Sequence, residues 1–138
     1  MTPTPADIAT DWLVSAGLRP TRQRMALGKL LLEGADRHVT AEQLHQEVSG
    51  AGIQVSLATV YNTLNQFTDA GLLKEIVVES GRSYFDTNTS AHHHFFCEST
   101  SALQDIDVDS IPVGALPAPP PGTEISSVEV IVRLRRTK

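Results

Sequence analysis

The chain has 138 residues, 41 % of them hydrophobic and 20 % charged, a balance that excludes a disordered polyelectrolyte and allows one ordinary domain or two small ones. Its net charge of −5 excludes a uniformly basic nucleic-acid binder, and its single cysteine, Cys97, excludes an internal disulfide framework and fits a reducing cytoplasm. No apolar run approaches the roughly 20 residues that cross a bilayer, and MTPTPADIATDW lacks the basic start and apolar core of a signal peptide, so a cytoplasmic protein without membrane contact is expected.

In chain order, Thr4-Pro5 supplies an N-cap and a first-turn proline, and Ile8, Trp12, Leu13 and Ala16 follow at helical spacing up to Gly17. A second helix starts at Thr21 and carries Met25, Leu27, Leu30 and Leu31 to Gly34. Thr40-Ala41-Glu42-Gln43 reads as a capping box that opens a third helix through Leu44 and Val48 to Gly50. Ser56 caps a fourth, in which Leu57, Val60, Leu64 and Phe67 share a face and Gly71 ends the run. Leu72–Val78 and Arg82–Asp86 are β-rich, and Glu79-Ser80-Gly81 between them predicts a hairpin turn.

Helices followed by a two-stranded wing predict an α+β chain with a winged helix-turn-helix over residues 1–86. The polar stretch 87–91 is then a hinge, and residues 92–138 form a small α/β or mostly-β dimerisation domain. In that domain HHHFFC and ALQDIDV read as short strands, residues 111–122 as a proline-rich connector, and Ile125–Leu134 as a last strand. So few short strands bury themselves poorly, and a second copy of the chain is the expected remedy.

Two features carry chemistry. On the helix from Leu57 to Ala70, the apolar stripe leaves Ala58, Thr59, Tyr61, Asn62, Asn65 and Gln66 facing outward. That polar, uncharged surface suits base edges: Asn and Gln can bond adenine bidentately, while Thr and aromatic rings meet the thymine methyl. Arg19, Arg22, Arg24 and Lys29, with no acid between residues 19 and 29, add the local positive charge that duplex DNA requires. The second feature is His92-His93-His94. On a strand, alternate side chains share a face, so His92 and His94 point together and can chelate one ion.

Leu57-Ala58-Thr59-Val60-Tyr61, continued by Asn62-Thr63-Leu64-Asn65-Gln66-Phe67 and Ala70-Gly71-Leu72, resembles the recognition-helix signature of the ferric uptake regulator (Fur) family. Gly17-Leu18-Arg19-Pro20-Thr21-Arg22-Gln23-Arg24 resembles the segment leading into that family's second helix. The resemblance implies a dimeric repressor of iron homeostasis that binds double-stranded, A/T-rich operator DNA. It places Arg19 in the minor groove and Tyr61 against thymines; Thr59, Asn62 and Asn65 are the further candidate base contacts that the exposed helix face offers. Many members carry a basic residue where this chain has Asn62. The resemblance also implies one inter-domain site for Fe, Mn or Zn with ligands His38, Asp86, His92, His94 and Asp105.

The family's four-cysteine structural zinc is ruled out, because Thr100 stands where the second cysteine of the Cys97 pair would be and no cysteine follows. Cys97 is then expected to be a small buried hydrophobe. The family's further metal site is reduced here to His93 and Asp107, since Ser127 replaces its final-strand histidine. Asn62, the HHHFF run and the missing cysteines are similar to the iron response regulator branch, which implies haem as a further candidate ligand, carried by His92, His93 or His94. Aspartate at 86 and 105 matches the peroxide-sensing branch instead. The alternative from another class is a metal-dependent hydrolase built on the HxH pair and its carboxylates; five protein ligands would leave such an ion little room for substrate.

Overall fold

The computed structural model describes residues 2–79 and 82–137. The four α-helices of residues 5–69 form where capping residues and apolar spacing coincide. Helices α1 (Pro5–Ser15), α2 (Arg22–Leu31), α3 (Ala41–Gly50) and α4 (Leu57–Asp69) start behind Thr4, Thr21, Thr40 and Ser56, whose hydroxyls accept from the backbone N–H three residues on. Thr4 with Asp7 and Thr40 with Gln43 close full capping boxes, satisfying two otherwise orphaned donors at each start. Gly17, Gly34 and Gly71 follow α1, α2 and α4 with positive φ, the backbone state that ends a helix without strain when no Cβ is present.

Between α2 and α3 the chain makes a two-residue strand, β1 (His38–Val39), and after α4 come β2 (Lys74–Glu79) and β3 (Arg82–Asp86). They form an antiparallel sheet in the order β1-β3-β2, with a register irregularity between Val77 and Glu79. The expected wing hairpin is thus present, while its turn at Ser80-Gly81 lies outside the described residues. Sequence periodicity gives no sign of β1, whose partner Phe85-Asp86 is far away along the chain.

Leu13, Leu27, Leu31, Leu44, Val48, Val60, Leu64, Phe67 and Phe85 pack into one buried core, and the Trp12 ring meets Phe67 edge-on at 5.1 Å between centroids. Burial of this stripe fixes which face of α4 remains outside.

The chain divides into two compact units, Met1–Thr89 and Ser90–Lys138. In the second, β4 (His93–Cys97) is central, pairing antiparallel with β5 (Ala102–Ile106) and parallel with β6 (Ile131–Leu134). A single 3-10 turn, Val108–Ser110, follows β5, and residues 112–129 run exposed without regular structure. The last strand is therefore shorter than the expected Ile125–Leu134. The ladder to β4 runs from His94 opposite Ile131 to Cys97 opposite Leu134, and the His94 N–H reaches the Val130 carbonyl at 3.1 Å. Among the described residues no helix is long and apolar enough to cross a membrane.

Candidate metal centre and nucleic-acid interface

On α4 the outward residues Ala58, Tyr61, Asn62, Asn65 and Gln66 are exposed, whereas Thr59 is half-buried and its hydroxyl accepts from the Ser56 cap at 2.9 Å. Tyr61 is not a freely swinging ring. Its hydroxyl donates to Glu42 Oε1 at 2.7 Å, and that bond raises the phenol pKa above its ordinary value.

The Arg24 guanidinium joins three elements. Its Nε and Nη2 donate to Gln66 Oε1 at 3.2 and 3.1 Å, and its Nη1 donates to the Arg19 carbonyl at 3.0 Å. One planar fork thereby holds the loop that carries the exposed Arg19 against the outer face of α4. Neither Glu42 nor the Arg24–Gln66 bond is marked out by the sequence. The capping box at Thr40 shows where α3 starts, but nothing in the spacing tells which side chain its second residue meets.

The five expected metal ligands form two groups, one within each unit. In Met1–Thr89, His38 and Asp86 are direct cross-strand partners on β1 and β3, so the pleat turns both to the same face. His38 Nε2 lies 3.1 Å from Asp86 Oδ2, while Asp86 Oδ1 accepts from the Asn88 N–H at 2.8 Å. A clamp holds this pair: the Arg37 N–H donates to Thr87 Oγ1 at 2.9 Å, and the Thr87 N–H donates to the Arg37 carbonyl at 3.1 Å. Arg37 itself is anchored by a two-pronged ion pair with Glu47, which raises its pKa further.

In Ser90–Lys138, His94 and Asp105 are cross-strand partners on β4 and β5, the same device again. His92 Nε2 and His94 Nε2 lie 3.3 and 3.4 Å from the same oxygen, Asp105 Oδ1, with the two rings 4.4 Å apart between centroids. Donor atoms of these three residues all fall within 4.8 Å of one another. His92 Nδ1 is 2.6 Å from the Ser90 carbonyl. A carbonyl only accepts, so Nδ1 carries the hydrogen and Nε2 is the ring nitrogen that faces Asp105. Metal-bound histidines are held in this way, with the second ring nitrogen tied to a backbone oxygen. Two imidazole nitrogens and a carboxylate oxygen converging on one point are Lewis bases suited to a borderline divalent cation, and the residues fit such an ion.

His93 points away from this cluster, as alternation requires. Its Nδ1 accepts from the Val130 N–H at 3.0 Å, tying β4 to the chain entering β6. Asp107 is exposed and caps the 3-10 turn, accepting from the Asp109 N–H at 3.3 Å. Cys97 is not the buried hydrophobe expected. It is half-exposed, its Sγ lies 3.3 Å from Ser99 Oγ, and hydrogen bonds from Ser99 and Thr100 lower its pKa to about 7. The turn after β4 faces solvent, and the thiol shares that exposure.

The sequence pattern of the ferric uptake regulator family matches residues 15–130. The chain belongs to that family. It is 38 % identical over 100 residues to the ferric uptake regulation protein of Shigella flexneri, a match covering 72 % of this chain and 68 % of the relative. It is also 38 % identical over 93 residues to the peroxide-responsive repressor PerR of Staphylococcus epidermidis, covering 67 % of this chain and 61 % of that protein. Among solved structures it is similar to the manganese-containing ferric uptake regulator of Pseudomonas aeruginosa, with a TM-score of 0.71 and 26 % identity over 95 % of this chain and 99 % of that one. The Vibrio cholerae ferric uptake regulator has the same fold, at a TM-score of 0.72 and 24 % identity, covering 92 % of this chain and 98 % of that one. Membership in the ferric uptake regulator family makes this chain a transcription regulator and displaces the hydrolase alternative.

Proposed function

We propose that this ferric uptake regulator relative is a metal-responsive repressor of iron homeostasis that binds A/T-rich duplex DNA as a homodimer. The observation that carries the reading is the convergence of His92 and His94 on Asp105, with the His92 tautomer preset by the Ser90 carbonyl. By the family resemblance, His38 and Asp86, themselves paired at 3.1 Å, would be the remaining two ligands of the proposed site. A bound Fe(II), Mn(II) or Zn(II) ion would cross-link the ligands it shares. His38 and Asp86 come from residues 1–86 and the other three from residues 92–138, with residues 87–91 as the hinge between them. One shared ion would thus fix the DNA-binding domain relative to the dimerisation domain. A dimer with both recognition helices at a set spacing occupies two half-sites without first losing hinge freedom.

DNA reading is assigned to Tyr61, Asn62 and Asn65, with Thr59 at the helix start and Arg19 in the minor groove. The absence of charge on this face favours A/T-rich sequence. Titrating Mn(II) into the metal-free chain with a duplex enriched from a random pool is expected to raise affinity, and metal-independent binding at a filled site would refute the switch. Tyr61→Ala is expected to weaken binding to that duplex by about 1–3 kcal/mol for each base the ring would have read.

Two finer readings share the site. The similarity to PerR and the aspartates at 86 and 105 favour peroxide sensing, which mass spectrometry would reveal as oxidation of His38 or His92 in the Fe(II) form under peroxide. Similarity to the iron response regulator branch favours haem, with His92, His93 and His94 as its ligands and His93–Asp107 as a remnant second metal site. All three histidines are buried, so haem ligation would require β4 to open. A haem arm in the same titration separates this reading from direct metal control.

A further inference from the structure

Resting on the DNA-binding reading, we propose that Glu42 is a positioning residue for sequence readout: its carboxylate holds the Tyr61 phenol in the orientation that meets the base, and its charge restrains sequence-independent binding. Tyr61 is 36 % exposed, yet its hydroxyl is tied to Glu42 Oε1 at 2.7 Å. A hydrogen bond to an ionised acceptor is roughly twice as strong as a neutral one. The two residues lie on different helices, the first turn of α3 and the first turns of α4, so the bond also cross-braces the helix-turn-helix. They share a shallow surface hollow with Thr40, Arg82 and Ser83, the last two at the start of the second wing strand.

Glu42 itself is exposed beside the face assigned to DNA. A carboxylate there repels phosphates on every sequence alike, whereas a correctly aimed ring gains only where a thymine methyl lies under it. One side chain thus lowers the affinity for all duplexes and preserves the difference between them.

The two roles separate by substitution. Glu42→Gln keeps an oxygen that accepts from the phenol but removes the charge; Glu42→Ala removes both. The test uses the full Mn(II)-loaded chain, a duplex enriched from a random pool, and a scrambled duplex of equal composition, with fluorescence anisotropy over a range of salt. Glu42→Gln is expected to bind both duplexes several-fold tighter at low salt, keep their affinity ratio, and steepen the log–log salt slope by about 0.9, the increment for one further effective phosphate contact. Glu42→Ala is expected to bind the scrambled duplex equally tightly but to lose most of the affinity ratio. Tyr61→Phe should lose the same ratio, and adding Glu42→Ala to it should lose no more.

Ultraviolet titration of the phenol supplies a readout independent of DNA, because Glu42→Ala is expected to lower the pH at which Tyr61 ionises. If the wild type enriches a duplex while Glu42→Ala leaves both the ratio and the phenol titration unchanged, this inference alone falls. If the wild type enriches none, the DNA reading falls and this inference with it.

Discussion

In Met1–Thr89 a continuous apolar core runs from Leu13 on α1 through Leu27, Leu44 and Leu64 to Phe85 on β3, whereas in Ser90–Lys138 the buried hydrophobics among the described residues are Phe96 and Ile106. The interior of the second unit is otherwise His92, His93 and His94. Burial of apolar area is nondirectional and strong, so the first unit can hold its helices, and therefore the Tyr61 face, in place by packing alone. The second unit has too little apolar area for that. Its order rests on directional contacts: the Ser90 carbonyl on His92, the Val130 N–H on His93, and Asp105 facing both His92 and His94. A unit built on ligand-competent polar groups is expected to gain stability when a cation binds them.

The largest effect should come from breaking the apolar side of this comparison. Phe67 is fully buried and meets Trp12 edge-on, so Phe67→Ala is expected to cost about 3–5 kcal/mol, read from urea unfolding followed by Trp12 fluorescence. A loss below about 1 kcal/mol would show that the core around α4 collapses into the cavity and is not rigidly packed.

Metal should act on the other side, with a smaller effect. Mn(II) at about a hundred times its dissociation constant is expected to stabilise the chain by about 2.7 kcal/mol. Asp105→Asn keeps the side-chain shape at a part-exposed position but loses the anionic donor, and should cancel most of that gain. Phe67→Ala should leave the gain intact while lowering the baseline. Differential scanning fluorimetry with and without Mn(II) on the three proteins reads this crossing pattern, and equal gains in all three would remove Asp105 from the ligand set.

The same contrast explains how much is legible in the sequence. Helices α1 to α4 are written locally, because Thr4, Thr21, Thr40 and Ser56 cap them and their apolar stripes run at helical period. Strand β1 is not legible, since His38–Val39 becomes a strand only by pairing with Phe85–Asp86. The last strand reads too long because Ile125–Leu134 carries apolar residues on both faces, so its alternation cannot say where pairing stops. The His92–His94 alternation is readable from spacing, but the companionship of His94 with Asp105 is a matter of register between β4 and β5. Glu42 meeting Tyr61 depends on the packing of α3 on α4, and no periodicity encodes it.

The last test concerns the turn after β4, where polar contacts again do the holding. Hydrogen bonds from Ser99, then Thr100, stabilise the Cys97 thiolate and lower its pKa to about 7, against roughly 8.5 for a free cysteine. A lowered thiol pKa means the thiolate dominates above about pH 7 and is lost as pH falls through that value. Alkylation by iodoacetamide, followed by mass spectrometry, is therefore expected to reach half its limiting rate near pH 7. Ser99→Ala should move the midpoint up most, and adding Thr100→Val should move it further. Fold stability should barely change, because Cys97 is part-exposed and the turn buries little. A midpoint already near 8.5 in the wild type would show that the turn opens in solution. The directional contacts would then hold the histidine cluster but not the far end of β4, confining the polar scaffold of this unit to the ligands themselves.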